Sequence, residues 1–277
     1  MNTSQPRILI FVGHALYAPW KDILYRGQLD TWAIPGEDSR IIHCFGRPVN
    51  NWLHQIDTKY WMARWFAPKP VARALIASEF VWQRLLNRWH PRVVRTVLPG
   101  TMTSGWQVQM PDLNIIMTRK PLAIFRELEK EEFDFAVFVT GTSYLNIPAL
   151  ESALEKLPRE GITAGRVVKH PNGNFLSGSF RIFTPDVVKI INRTAHRYPH
   201  WIPEDAALGR LLSTFDLTEI DLPSIDLPGV QSLEIIPASD FKEIIHFRCK
   251  SRGYENRGDV EIMHQLHTLL TRARGVE

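Results

Sequence analysis

Long apolar runs, paired cysteines and a strong charge excess of one sign are what this sequence of 277 residues lacks. No stretch of about 18 uninterrupted apolar residues occurs, which argues against a membrane-spanning helix. The start has its first positive charge only at Arg7 and no small-residue cleavage site behind it, so it does not read as a secretory signal. The two cysteines, Cys44 and Cys249, are far apart and isolated. They make neither a zinc pattern nor a disulfide framework, and a reducing cytoplasm is the expected compartment. Lys plus Arg number 33 against 29 Asp plus Glu, a net charge of +4. That excess suits a phosphorylated ligand or an anionic surface and falls well short of a nucleic-acid signature. G-x-G-x-x-G, P-loop and G-x-S-x-G motifs are missing, which removes the usual dinucleotide, NTPase and hydrolase readings.

What is present is core material. With 44% hydrophobic residues the chain can bury a full core, as one large α/β domain or two small ones; we read one, over residues 1–277. Ile8 to Val12 are consecutive aliphatic or aromatic residues ended by Gly13, which predicts a buried strand. Ile23, Leu24, Leu29 and Trp32 behind Pro19 predict a helix, and residues 40–46 a second strand. Strand, helix, strand opens a doubly wound sheet. In such a sheet Gly13 and His14 stand at the carboxyl end of the first strand, where ligands gather, although a lone histidine is more often structural.

Residues 51–97 differ in texture. Five of the nine tryptophans (Trp52, Trp61, Trp65, Trp82, Trp89) alternate with arginines here, and residues 71–89 predict one amphipathic helix. Two readings stand: a helical insertion packed on the core, or a surface for peripheral membrane contact.

Residues 113–121 predict a strand ending in Thr118-Arg119-Lys120, followed by a charged helix. A second apolar strand, from Phe135, empties into Thr140-Gly141-Thr142-Ser143, a loop of small hydroxyl residues without charge, before a helix opened by Asn146-Ile147-Pro148. Ser177-Gly178-Ser179 predicts a loop, and Thr184 with Pro185 predicts a helix start. A helix follows Pro203, residues 221–229 predict a proline-punctuated loop, and residues 243–251 a last strand before a helix from Val260 to Arg272. On that strand His246, Arg248 and Lys250 share one face by alternation. Arg brings a bidentate fork for phosphate oxygens and Lys a point charge, or the three form an exposed edge. Arg119 and Lys120 are a second source of cations.

Three segments in fixed order resemble the fringe and β-1,3-glycosyltransferase group of GT-A glycosyltransferases. In that group an aspartate-rich triplet is followed by a hydrophobic residue and Asn; here Tyr144, Leu145 and Asn146 follow the triplet position. Its Ser-Gly-Gly loop and Ser-x-Asp helix start are matched by Ser177-Gly178-Ser179 and Thr184-Pro185-Asp186, and its Glu-Asp-Val-x-x-Gly motif by Glu204-Asp205 with Gly209. The match spans residues 114–212 and the strand around His246. The departure is at the triplet, where Thr140, Gly141, Thr142 and Ser143 replace the carboxylates that hold a divalent cation. A Thr/Ser-rich triplet with a His-x-Arg-x-Lys strand, here His246 to Lys250, is similar to a set of viral and bacterial glycosyltransferase-like proteins.

The resemblance implies a GT-A-like, Rossmann-like fold: a mostly parallel central sheet flanked by helices, with the insertion at 51–97. It implies an inverting glycosyltransferase that moves a sugar from a nucleotide-sugar to a hydroxyl on a glycan or lipid-linked acceptor, in bacterial glycan or glycolipid synthesis. Asp205 is the implied general base and Glu204 the second choice, unless the pair serves only the helix dipole. Ser177, Gly178 and Ser179 would wall the pocket, and Thr140 to Ser143 would form a neutral floor beneath the donor. Arg248, Lys250 and Lys120 would supply the charge a metal otherwise brings. Whether Mn or Mg binds stays open, since its usual ligands are missing. Two other readings also stay open: a nucleotide-sugar or glycan-binding protein without catalysis, and a peripheral protein of the inner membrane face acting through 51–97. No nucleic-acid partner is expected.

Overall fold

The computed structural model describes residues 5–34, 38, 40–50, 52–57, 59, 68–71, 73, 74, 77, 89–113, 116–170, 173–199, 202–237, 239–251 and 257–275. Strands made of unbroken apolar residues must be covered on both faces, so they take the centre of the sheet. β1 (Ile8–His14) and β5 (Phe135–Thr140) lie parallel and side by side, from Ile8 opposite Phe135 to Gly13 opposite Thr140. β2 (Ile41–Arg47) runs parallel to β1 on its other side. β4 (Ser104–Pro111) follows parallel to β2, and β3 (Val93–Val97) closes that edge antiparallel. Beyond β5 come β8 (Phe175–Phe183) and β7 (Ile162–Val168), antiparallel, then β9 (Thr218–Asp221), parallel to β7. The order β3-β4-β2-β1-β5-β8-β7-β9 is the mostly parallel α/β sheet that the sequence predicts. From β1 the chain builds β2 on one side and β5 on the other. A crevice therefore opens between the carboxyl ends of β1 and β5, the usual ligand position in such sheets.

Helices cover both faces. On one, α2 (Arg119–Leu128), α4 (Pro185–Thr194) and α5 (Glu204–Leu212) bury Leu122, Phe125, Val188 and Leu208 against Phe11, Phe138 and Phe183. On the other, α3 (Ile147–Leu154) and α6 (Asp259–Arg274) bury Leu150, Met263 and Leu266 against Ile10, Val137 and Ile182. This layer also holds a second sheet, β10 (Ser224–Leu227), β11 (His246–Cys249) and β6 (Ser143–Leu145). Each fully buried aromatic or aliphatic side chain contributes about 1.5–3 kcal/mol. α1 (Trp20–Ile23) continues as a π-helical turn over Leu24–Gln28. Among the described residues no helix is long and apolar enough to cross a membrane.

Several expectations need correction. Residues 113–121 hold no strand where described: Arg119 and Lys120 open α2, because Leu122, Phe125 and Leu128 bury at helical spacing. Ser177-Gly178-Ser179 is no loop but the middle of β8, at a register shift between the pairs Val167–Leu176 and Gly165–Arg181 with β7, and just before the pairing with β5 begins at Val139–Phe180. Ser143 leaves the loop for β6, where it stands opposite Arg248. Residues 221–229 contain the end of β9 and all of β10, whose partner β11 is remote in sequence. In the insertion at 51–97, residues 52–57 are helical but Val93–Val97 pair with β4 as strand β3. The amphipathic helix expected over 71–89 lies mostly outside the described residues, and with it the surface assigned to membrane contact.

Candidate functional site

A cleft of about 430 Å³ occupies the crevice. β1 contributes Gly13 and His14, the end of β5 contributes Thr140, Gly141 and Thr142, and α2 contributes Lys120. Gly178 and Arg181 reach it from β8, Glu204 from α5, and Arg248 and Lys250 from β11 and its exit. Segments far apart in sequence thus converge on one cleft. Of the expected site residues, Asp205, Arg119, Ser143, Ser177, Ser179 and His246 do not line it.

The carboxylates part company at the start of α5. Glu204 lines the cleft, and its carboxylate is met by Arg181, with Nη1 donating to Oε2 at 2.8 Å and Nη2 lying 2.8 Å from Oε1. Tyr198 donates to the Glu204 carbonyl at 2.7 Å. Arg181 is buried, with its guanidinium carbon 5.8 Å from the Phe138 ring centroid. Burial works against its charge, yet the Glu204 carboxylate outweighs this and holds its pKa above the ordinary arginine value. Asp205 turns away, because successive helical residues point about 100° apart. Its carboxylate accepts from Gly178 N–H at 3.3 Å and from Ala206 N–H at 2.9 Å, and it lines a separate cavity of about 100 Å³. Gly178 separates the two: a Cβ there would sit 3.7 Å from Asp205 Oδ2 and from Glu204 Oε2, ordinary contact distances. No close backbone approach requires this glycine.

Cations line the cleft on other elements. The Arg248 side chain makes no hydrogen bond or close ion pair among the described residues, its charge acting on Asp226 only at longer range, and its Nε is buried without a partner. Its neighbour across the ladder, Asp226, is bound instead by Arg166, whose Nη2 donates at 2.8 Å. The Lys250 pKa falls through burial and through the charges of Arg248 and Arg257. Lys120 is engaged, donating to the His14 carbonyl at 2.5 Å and to Asp112 Oδ1 at 2.9 Å. Asp112 also accepts the Gly46 N–H at 3.0 Å, and a Cβ on Gly46 would come within 2.4 Å of Asp112 Oδ1 and 2.9 Å of the Met110 carbonyl, so a side chain there would have to displace both. Arg119 is buried away from the cleft; burial and the Arg126 charge push its pKa down to about 10.

His246 has a different task from the one its spacing suggests. Ser143 Oγ donates to the Ser179 carbonyl at 3.0 Å, so it must accept from His246 Nε2 at 2.9 Å; His246 Nδ1 then accepts from Ser224 Oγ at 2.7 Å. The ring stacks on Phe180 at 4.8 Å. Burial first, then the charges of Arg166 and Arg248, lower its pKa to about 3, leaving it neutral. It is a buried lock between β6, β8 and β11, not a phosphate ligand. His14 is similar in kind: Nε2 lies 2.8 Å from Nδ1 of His43, and burial, with His43 and Lys120 nearby, lowers its pKa well below the usual value. Asn146 caps α3 by accepting from Ala149 N–H at 3.4 Å.

At the triplet position Thr140 Oγ1 is 3.3 Å from Thr142 Oγ1 and from Ser143 Oγ. Three neutral hydroxyls do not fit the hard, anionic donor set that Mg²⁺ or Mn²⁺ prefers. Arg181 and Asp112 were not anticipated. The signal for Arg181 was a lone charge inside the apolar strand Phe180-Arg181-Ile182-Phe183; Asp112 carried none.

No protein-family model matches this sequence, and no curated protein does. Among solved structures, the apo form of mouse xyloside xylosyltransferase 1 aligns with a TM-score of 0.41 at 9% identity, over 90% of this chain and 98% of that one.

Proposed function

We propose that this protein is a GT-A-like glycosyltransferase that moves a sugar from a nucleotide-sugar to a hydroxyl acceptor. One observation carries the reading: at the carboxyl ends of β1 and β5, a single cleft brings together the cations Lys120, Arg248 and Lys250 and the carboxylate Glu204. A nucleotide-sugar needs this combination, an anion receptor for its diphosphate and a carboxylate near the sugar.

Glu204 takes the acceptor hydroxyl proton as that oxygen attacks the anomeric carbon. The bond from that carbon to the phosphate oxygen breaks, and the nucleoside diphosphate leaves with the electron pair. A positioned carboxylate contributes about 10²- to 10⁴-fold to such a step. One displacement inverts the anomeric centre. Arg181 orients the carboxylate, and Thr140 and Thr142 offer neutral hydrogen bonds to the donor. Acceptors of bacterial glycan or lipid-linked type, and membrane contact through residues 51–97, extend the same reading. Because Arg181 already engages Glu204, binding of the donor without transfer is the second reading.

A thermal-shift screen of nucleotide-sugars tests the donor site, since a ligand at a hundredfold excess over Kd stabilises by about 2.7 kcal/mol. The expected result is selective stabilisation by one nucleotide class; no shift with any nucleotide-sugar contradicts the proposal.

A further inference from the structure

Resting on the reading of the cleft as a donor site, we infer that Arg248, with Lys250 two residues on, is a fixed counter-charge for the donor diphosphate. It stands across the ladder from Thr140 to Ser143, the positions at which the resemblance implies metal-binding carboxylates. The antiparallel pairing of β11 with β6 sets Arg248 opposite Ser143, the last residue of the triplet position. Both cations line the cleft, as do Thr140, Gly141 and Thr142.

The surroundings leave the guanidinium available for an anion. Arg166 already holds Asp226, the carboxylate nearest in register, and Arg248 Nε is buried with no partner. A buried, unsatisfied charged donor is costly, and two phosphate oxygens match its fork. Thr140 and Thr142 add hydroxyls without adding negative charge. The chain of hydrogen bonds from Ser224 through His246 and Ser143 to the Ser179 carbonyl ties β11 to β6 and β8. The charge therefore comes preorganised, as electrostatic stabilisation of a leaving group requires. The two observations, neutral oxygens at the triplet and an unengaged guanidinium across the ladder from it, have one explanation: the positive charge comes from the chain.

Isothermal titration of the full chain with inorganic pyrophosphate in EDTA tests this. Saturable binding is expected, weakened about tenfold or more by Arg248→Ala and less by Arg248→Lys, which keeps the charge and loses the fork. Unchanged melting of the unliganded variants would show that the fold persists; if Arg248→Ala does not fold, Arg248→Lys and Lys250→Ala carry the comparison. Equal affinity of variant and parent, no binding by the parent, or binding only after Mn²⁺ is added would overturn the inference. Pyrophosphate binding does not depend on sugar transfer, so failure of the glycosyltransferase reading shows separately, as no turnover of any nucleotide-sugar.

Discussion

Arg181 grips the Glu204 carboxylate from β8, with Nη1 to Oε2 and Nη2 to Oε1 each at 2.8 Å, and both residues line the same cleft. The adjacent Asp205 spends its carboxylate on the Gly178 and Ala206 N–H groups and lines another cavity. Two neighbouring acids thus have separable roles.

Glu204→Gln is expected to lower kcat about 10²-fold or more. Asp205→Asn keeps one of the two accepted hydrogen bonds and should lower kcat by less than about tenfold. Steady-state rates of the two variants decide; the opposite order would return the base to Asp205.

Arg181→Met leaves Glu204 half of a broken, largely buried ion pair, and such losses run to about 3–5 kcal/mol. Urea unfolding should show a destabilisation of that order, with the double variant Arg181→Met, Glu204→Met recovering much of it. A single-variant loss below about 1 kcal/mol would mean the pair is solvated like a surface bridge.

Gly178→Ala should leave stability within about 0.5 kcal/mol, since its methyl meets Asp205 and Glu204 only at 3.7 Å. The same methyl enters the space beside the Glu204 carboxylate, so turnover should fall while the melting temperature holds. Unfolding of this variant would instead assign the glycine a backbone role.

Stability should fall with acid through the buried histidines. His246 and His43 have folded pKa values lowered to about 3 and about 4, chiefly by burial, against about 6.5 unfolded. The unfolded chain binds the extra protons, so their contribution is whole above about pH 6.5 and is lost progressively below it, toward pH 3–4. Between about pH 7.5 and about pH 5 this amounts to roughly 2 kcal/mol per histidine. Urea midpoints of the parent and of His246→Gln should differ least at low pH; parallel pH profiles would contradict the lock.

The central strands were legible because β1 and β5 are apolar runs with the composition of buried strands and β2 is a short strand with Gly46 near its end, and α3 because Asn146 and Pro148 mark its start. The edges were not. β9 and β10 are four residues each and partly exposed, so their identity comes from partners remote in the chain. Ser177-Gly178-Ser179 has turn composition but lies inside β8, because the residues on either side of it, Leu176 and Phe180, pair with remote strands. Glu204, Gly178, Arg248 and Thr140, which the motif order singles out, line one cleft. Motif order could not tell Glu204 from Asp205, since one step along a helix changes the direction of a side chain and leaves no trace in spacing. Nor could alternation show that His246 is sealed beneath the strand while Arg248 reaches the cleft.

Release of nucleoside diphosphate from a panel of nucleotide-sugars, with parent protein and Glu204→Gln side by side, tests the central claim most directly. The account predicts turnover of at least one donor by the parent, and a rate about 10²-fold lower for the variant with donor-induced thermal stabilisation retained. No turnover of any donor, or equal rates for the two proteins, would contradict it.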